Sequence, residues 1–166
     1  MKTIINWRVF FILWIASILA TIAILPYVLE LQSGALEQLD LPIPLPALIT
    51  LQVIQSGLLF AICIFFGMLL AKRIGLGTPI LDSFARGESV FDEVRAFVPS
   101  SIGLGILASL LIVGLDAYIF QAALIQELGE KANALNQTAQ PPAWKGFLAS
   151  FYGGIAEEIL LRLFVM

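Results

Sequence analysis

Glu157, Glu158 and Arg162 are three ionisable residues placed within one apolar stretch of the chain. A carboxylate can act as a general base towards water, and a guanidinium binds a carboxylate through its forked N–H donors. Glu158 and Arg162 are four residues apart, the favourable order and spacing for an ion pair on a helix. Glu157 is rotated by about 100° and cannot share that geometry equally. We therefore expect Glu158 and Arg162 to hold each other, leaving Glu157 as the candidate base.

The elements that position these residues are predicted to be membrane-spanning helices. The 166 residues are 60% hydrophobic and 13% charged, with a mean hydropathy of +0.97, whereas soluble domains are about 45–50% apolar and about 25% charged. A spanning helix needs about 20 apolar residues. The sequence predicts an all-α fold, a polytopic membrane helix bundle with about four transmembrane helices in a single membrane domain, 1–166. The predicted spans are residues 9–29, 47–71, 100–124 and 144–166.

The insertion of the fourth predicted span into lipid by itself is energetically unfavourable. Each charged residue at a helix centre is disfavoured by about 2.5–3.5 kcal/mol, and three sum to about 7–10 kcal/mol. The ten Leu, Ile, Phe and Val residues of this span return only about 3–6 kcal/mol. The segment therefore needs neighbouring helices or a polar cavity. One interpretation is that all three charges simply fasten it to those helices.

Other polar residues are predicted to support the bundle. Gln52, Gln55 and Ser56 share one face of span two, which favours hydrogen bonds between helices over the alternative of a contact with substrate. Asp116 lies inside span three, where it would pair with a charge on another helix or lie near a frayed end. A stripe of apolar residues over 90–98, preceded by a capping box from Ser89 to Asp92, predicts a short interfacial amphipathic helix.

The distribution of charge predicts topology and partners. Lys and Arg concentrate before span one and between residues 72 and 97, which places the N-terminus and that loop in the cytoplasm by the positive-inside rule. We expect an integral protein of a prokaryotic inner or plasma membrane, with the lipid bilayer as its first partner. The net charge of −3 and the lack of a basic tract give no reason to expect nucleic-acid binding.

The run Tyr152-Gly153-Gly154-Ile155-Ala156-Glu157-Glu158, followed by Arg162, resembles the first signature of the CPBP family. These proteins are the CAAX prenyl proteases and the bacteriocin-processing "Abi" proteins. The resemblance is close over 151–166 and loose over the rest of the chain. It implies an intramembrane endopeptidase in which Glu157 activates water, Glu158 supports it and Arg162 holds local structure. A membrane protein or peptide would be the substrate.

The chain departs from that family in having no histidine. The family carries two further signatures, Phe-x-x-x-His and His-x-x-x-Asn/Asp, on later helices. We therefore expect this chain to be the N-terminal part of a longer protein and inactive alone. The resemblance offers two mechanisms: one uses zinc or another divalent metal in the full-length protein, and the other uses glutamate-activated water without a bound metal. No metal or cofactor site is complete in these 166 residues.

Two further functions compete with proteolysis. A non-catalytic membrane scaffold or immunity-type interaction protein would retain the helices without the chemistry. A transporter fragment would place the buried charges on an ion path, but it requires symmetry-related interrupted spans, which the sequence does not contain. Substitution of Glu157 separates these functions, because only the protease needs its carboxylate for turnover.

Overall fold

The chain folds into helices in a computed structural model that describes residues 5–33, 44–73, 75, 78–121, 123, 126 and 141–165. Within those residues every regular element is helical, which confirms the all-α prediction. The helices are α1 (Trp7–Leu31), α2 (Leu45–Arg73), α3 (Pro79–Arg86), α4 (Phe91–Leu115) and α5 (Ala143–Phe151). Helix α4 continues as a π-helix over Asp116–Phe120, and α5 continues as π-helices over Tyr152–Glu157 and Ile159–Val165. We call the helical stretch 143–165 the motif helix.

Within the described residues, three helices are long and apolar enough to cross a membrane: Trp7–Leu31, Leu45–Arg73 and Phe91–Phe120. They have 25, 29 and 30 residues, more than the roughly 20 that a bilayer requires. Three of the four predicted spans are thereby confirmed as helices. The fourth, predicted over 144–166, is helical but is divided into one short α-helical and two π-helical segments. The chain is therefore a membrane protein by the length and composition of its helices.

The predicted interfacial helix over 89–98 is wrong in its position. Helix α4 begins at Phe91 and runs through Pro99, and Val90 caps it without a side-chain hydrogen bond, so the box from Ser89 to Asp92 is not formed. Pro99 removes one backbone donor, a loss that long apolar helices tolerate. A short amphipathic helix is present instead at Pro79–Arg86. Pro79 suits the first position of this helix. Gly87, with φ +82°, suits the position directly after its last residue.

The chain divides into two compact units, Met1–Ala85 with Ala139–Met166, and Arg86–Thr138. The predicted single domain over 1–166 stays a prediction. The second unit is dominated by α4 and its π-helical continuation, which has no buried residue. In that continuation Gln121 donates a hydrogen bond to Asp116 at 3.3 Å. Their five-residue spacing matches the repeat of a π-helix, so Asp116 is engaged by its own helix.

The first unit is a packed bundle of α1, α2 and the motif helix. Its core contains residues from all three helices: Phe10, Ala20, Phe60, Ile64, Ala156 and Ile159. The backbones approach closely at Gly67, where an added Cβ would lie 2.6 Å from the carbonyl oxygen of Leu163. Helices α1 and α2 are joined where the indole of Trp14 donates to the Gly57 carbonyl at 2.8 Å. Small residues and an interhelical hydrogen bond therefore bring the helices together, as is typical of membrane bundles.

Polar contacts fasten both ends of α1. At its start, Asn6 donates to Asp82 at 2.9 Å and Arg8 donates to the Ala85 carbonyl at 3.0 Å, which attaches α3. Near its end, Lys145 donates to Glu30 across a 2.5 Å ion pair, which attaches the motif helix. These contacts fix the position of the motif helix along the axis of α1. They therefore also fix where Glu157 and Glu158 lie along that axis.

Candidate active site

The ion pair predicted from the four-residue spacing is present. The Nε atom of Arg162 lies 2.7 Å from Oε2 of Glu158, within the distance of a charge-assisted hydrogen bond. The side chains are partly open, with 75% of Arg162 and 47% of Glu158 exposed. The guanidinium therefore holds one of the two adjacent carboxylates and compensates its charge without burying it.

Glu157 lies outside this pair. Its carboxylate folds back along the motif helix, with Oε2 3.6 Å from the position of a Cβ at residue 153. The glycine there leaves space beside the carboxylate. In the described part of the chain no lysine or arginine forms an ion pair with Glu157. The prediction that one carboxylate is held while its neighbour is left without a cation is confirmed; the catalytic roles of Glu157, Glu158 and Arg162 stay a prediction.

The π-helical backbone changes how the charged residues share faces. Glu157 ends one π-helical segment, and Glu158 separates it from the next. A π-helix joins residues five apart, which is the spacing of Glu157 and Arg162. Arg162 nevertheless contacts Glu158 rather than Glu157. The π-helical backbone was not predicted from the sequence. The features of the sequence that accompany it are charged residues and a pair of glycines within an apolar helix.

A cavity of about 560 Å³, which we call the charged pocket, opens beside the ion pair. Glu158, Arg162 and Gly154 line it from the motif helix, and Thr78 lines it near the start of α3. The rest of the wall is apolar and comes mainly from α1 and α2, including Leu13, Ala16, Leu70 and Ala71. Glu157 is not part of this wall. The pocket therefore presents the paired carboxylate, and the unpaired one lies on another side of the motif helix.

The residues present do not form a metal site. The sequence has no histidine, and among the described residues no group of three His, Cys, Asp or Glu side chains is close enough to hold an ion. A catalytic zinc site uses three protein ligands, whereas Glu157 and Glu158 are two carboxylates of which one is bound by Arg162.

One prediction about the polar stripe of span two is corrected. Gln52 donates to Ser56 at 3.3 Å within α2 itself, not to another helix. Four-residue spacing places both side chains on one face of the helix. They therefore bond to each other in place of the expected hydrogen bond to a neighbouring helix.

The sequence matches no protein-family model. No curated protein and no solved structure matches it either.

Proposed function

We propose that this chain supplies the glutamate–arginine part of an intramembrane endopeptidase of the CPBP type. The observation that carries the proposal is the division between the two carboxylates. Arg162 is bonded to Glu158, whereas Glu157 has no cation partner among the described residues. A carboxylate without a bound cation has both oxygens open to a water molecule, and an adjacent paired carboxylate stabilises the helix around it.

The proposed chemistry is hydrolysis of a peptide bond. Glu157 takes a proton from a water molecule while the water oxygen attacks the peptide carbonyl carbon. The C–N bond of the tetrahedral intermediate then breaks, and the proton passes to the leaving nitrogen. The space over Gly153, beside Oε2 of Glu157, is where a water and a substrate backbone would approach. A positioned general base contributes about 100- to 10,000-fold to the rate.

The remaining parts of the proposed site are the two histidine signatures of the family. They would provide the donors that stabilise the oxyanion, which are worth about 2.7–4 kcal/mol each. Because the 166 residues contain no histidine, we propose that turnover requires a full-length protein carrying both signatures. Its substrate would be a membrane protein or a membrane peptide, in a prokaryotic inner or plasma membrane with the N-terminus in the cytoplasm.

A non-catalytic interaction protein is the second candidate. The observation that favours it is that the charged pocket contains a carboxylate already paired with a guanidinium, and the chain contains no histidine. In that case the ion pair would stabilise the motif helix itself, and replacement of Glu157 would leave binding of a membrane partner unchanged.

Isotope labelling tests the proposed hydrolysis. The full-length protein is reconstituted with a membrane reporter peptide in H₂¹⁸O, and the new carboxyl terminus is analysed by mass spectrometry. We expect one ¹⁸O atom in that carboxylate, a loss of product of about 100-fold or more in Glu157→Gln, and full product in the control Glu93→Gln. Product that is equally abundant in Glu157→Gln, or no product from the full-length protein, would reject the proposed function.

A further inference from the structure

A second cavity of about 460 Å³ lies between the other halves of α1 and α2. It is lined by Thr21 to Gln32 along α1, by Leu45 to Ser56 along α2, and by Tyr152 of the motif helix. None of its lining residues is charged. We call it the neutral pocket.

The shape of the neutral pocket favours a single extended chain. Its α2 wall runs from Leu45 to Ser56, about 17 Å at 1.5 Å per residue. A groove of that length, which runs along the helix axes, accommodates an extended alkyl chain or an extended peptide.

Hydrogen-bonding groups in the pocket distinguish these two occupants. The amide nitrogen of Gln52 donates to Ser56, but the Gln52 carbonyl accepts no bond, and the Tyr152 hydroxyl has no partner, within the described residues. Gln52 lies within the long apolar helix Leu45–Arg73, about 10 Å along its axis from Leu45. Its carbonyl requires a donor. An alkyl chain has none, and a cation would meet no carboxylate in the pocket wall, whereas a peptide N–H is a neutral donor.

The pocket also leads towards the candidate base. Tyr152 is held edge-on against Phe60 with ring centroids 6.5 Å apart. Gly153 follows it directly, and the Glu157 carboxylate lies over Gly153. A chain that occupies the pocket and continues past Tyr152 therefore reaches the side of the motif helix where Glu157 lies.

We propose that the neutral pocket binds an extended, unwound segment of a membrane polypeptide through Gln52, Ser56 and Tyr152. This inference rests on the proposed endopeptidase, for which the segment is the substrate. An unwound segment exposes backbone N–H and C=O groups that lipid cannot satisfy, and the unpartnered groups of the pocket complement them. A continuous helix has already used those groups and gains nothing there.

Photocrosslinking tests this binding without requiring turnover. The full-length Glu157→Gln protein, in phosphatidylcholine vesicles, carries a benzophenone side chain in place of Leu48, which lines the pocket, or of Ile54, which is exposed elsewhere on α2. The probe is a membrane peptide of about 20 apolar residues interrupted by Asn-Pro, and its control is the same peptide with Leu-Leu. We expect the interrupted peptide to crosslink from position 48 and not from 54. Gln52→Leu and Tyr152→Phe should each weaken binding about 3- to 20-fold.

The outcomes separate the two proposals. Equal crosslinking of both peptides, equal crosslinking from both positions, or capture of vesicle lipid in place of peptide would overturn the neutral-pocket assignment. Tyr152→Phe keeps the ring contact with Phe60, so a loss of binding in that variant reports the hydroxyl and not misfolding. Crosslinking as expected, together with no cleavage by the wild-type protein, would reject the endopeptidase and retain the peptide site.

Discussion

The charged pocket and the neutral pocket are both lined by α1, α2 and the motif helix, to which the charged pocket adds α3, but their polar groups differ. The charged pocket contains an ion pair between Glu158 and Arg162 and is otherwise mainly apolar. The neutral pocket contains uncharged amide and hydroxyl groups, among which the Gln52 carbonyl and the Tyr152 hydroxyl form no hydrogen bond within the described residues. Charged groups cost more free energy in an apolar surrounding, and here they are paired within the chain. Neutral polar groups cost less, and here they are left to bond a ligand. We infer that the polar groups of the charged pocket satisfy each other without a ligand, and that the neutral pocket binds a ligand.

The buried core lies between the two pockets along the helices. In α2 the neutral pocket ends at Ser56 and the charged pocket begins at Leu70, while Phe60 and Ile64 are fully buried between them. In α1 the corresponding buried residue is Ser17, whose hydroxyl donates to carbonyls of its own helix at 3.0 and 2.9 Å. Changes in the core should therefore affect both pockets, and changes at either end should affect one.

Gly67→Ala should have the largest effect on stability, because it moves the helix that carries the ion pair. Its Cβ would lie 2.6 Å from the carbonyl oxygen and 2.8 Å from Cγ of Leu163, so α2 and the motif helix must separate. Overpacking of this kind lowers the free energy of unfolding by about 1–3 kcal/mol, measured by chemical denaturation in bicelles. The matched control is Gly57→Ala, whose Cβ meets Ile18 at an ordinary 3.6 Å. Equal stability of the two variants would contradict the close crossing.

The coupling between Glu158 and Arg162 should be the next largest effect. A double-mutant cycle with Glu158→Gln and Arg162→Gln measures it in the same bicelles. We expect more than about 1 kcal/mol, because an apolar surrounding screens the two charges less than water does, where i,i+4 pairs on helices give about 0.2–0.5 kcal/mol. The control is the exposed pair of Arg86 and Glu88, at 2.7 Å, for which the coupling should be about 0–1 kcal/mol. A coupling near zero at Glu158 and Arg162 would remove the argument that this pair lies in an apolar surrounding.

Trp14→Phe should have a smaller effect, close to the worth of one interhelical hydrogen bond. The indole donates to the Gly57 carbonyl at 2.8 Å, and such bonds contribute about 0.6–1.7 kcal/mol in membrane bundles. Trp7→Phe is the control, since Trp7 is exposed at the start of α1. If both substitutions change the free energy of unfolding equally, the bond to Gly57 does not join the helices.

Much of this arrangement could be predicted from residue spacing. The pairing of Glu158 with Arg162 follows from a four-residue spacing, which is local and survives the change from α- to π-helix. The three long helices follow from unbroken apolar runs. The continuation of α4 from Phe91 through Pro99 was not predicted. A proline removes one backbone donor and so looks like a helix boundary in a sequence, but it does not end this long helix. The contact of Gly67 with Leu163, and both pockets, depend on how distant helices cross, which no local pattern encodes.

Gln52→Leu should have the smallest effect on stability and so sharpen the contrast between the pockets. The substitution removes an exposed hydrogen bond within α2 and adds an apolar side chain, so we expect a change within about 0.5 kcal/mol. Its effect on binding of the interrupted peptide should be larger than its effect on unfolding. A large loss of stability would show that Gln52 belongs to the bundle and not to a ligand site.

The most direct test of the division between the two carboxylates compares Glu157→Gln with Glu158→Gln in the proposed full-length protein. Initial rates of reporter cleavage and free energies of unfolding are measured for both. We predict that Glu157→Gln reduces the rate about 100- to 10,000-fold with unchanged stability, and that Glu158→Gln lowers stability and reduces the rate less. Full cleavage by Glu157→Gln together with loss of cleavage in a stably folded Glu158→Gln would contradict the account.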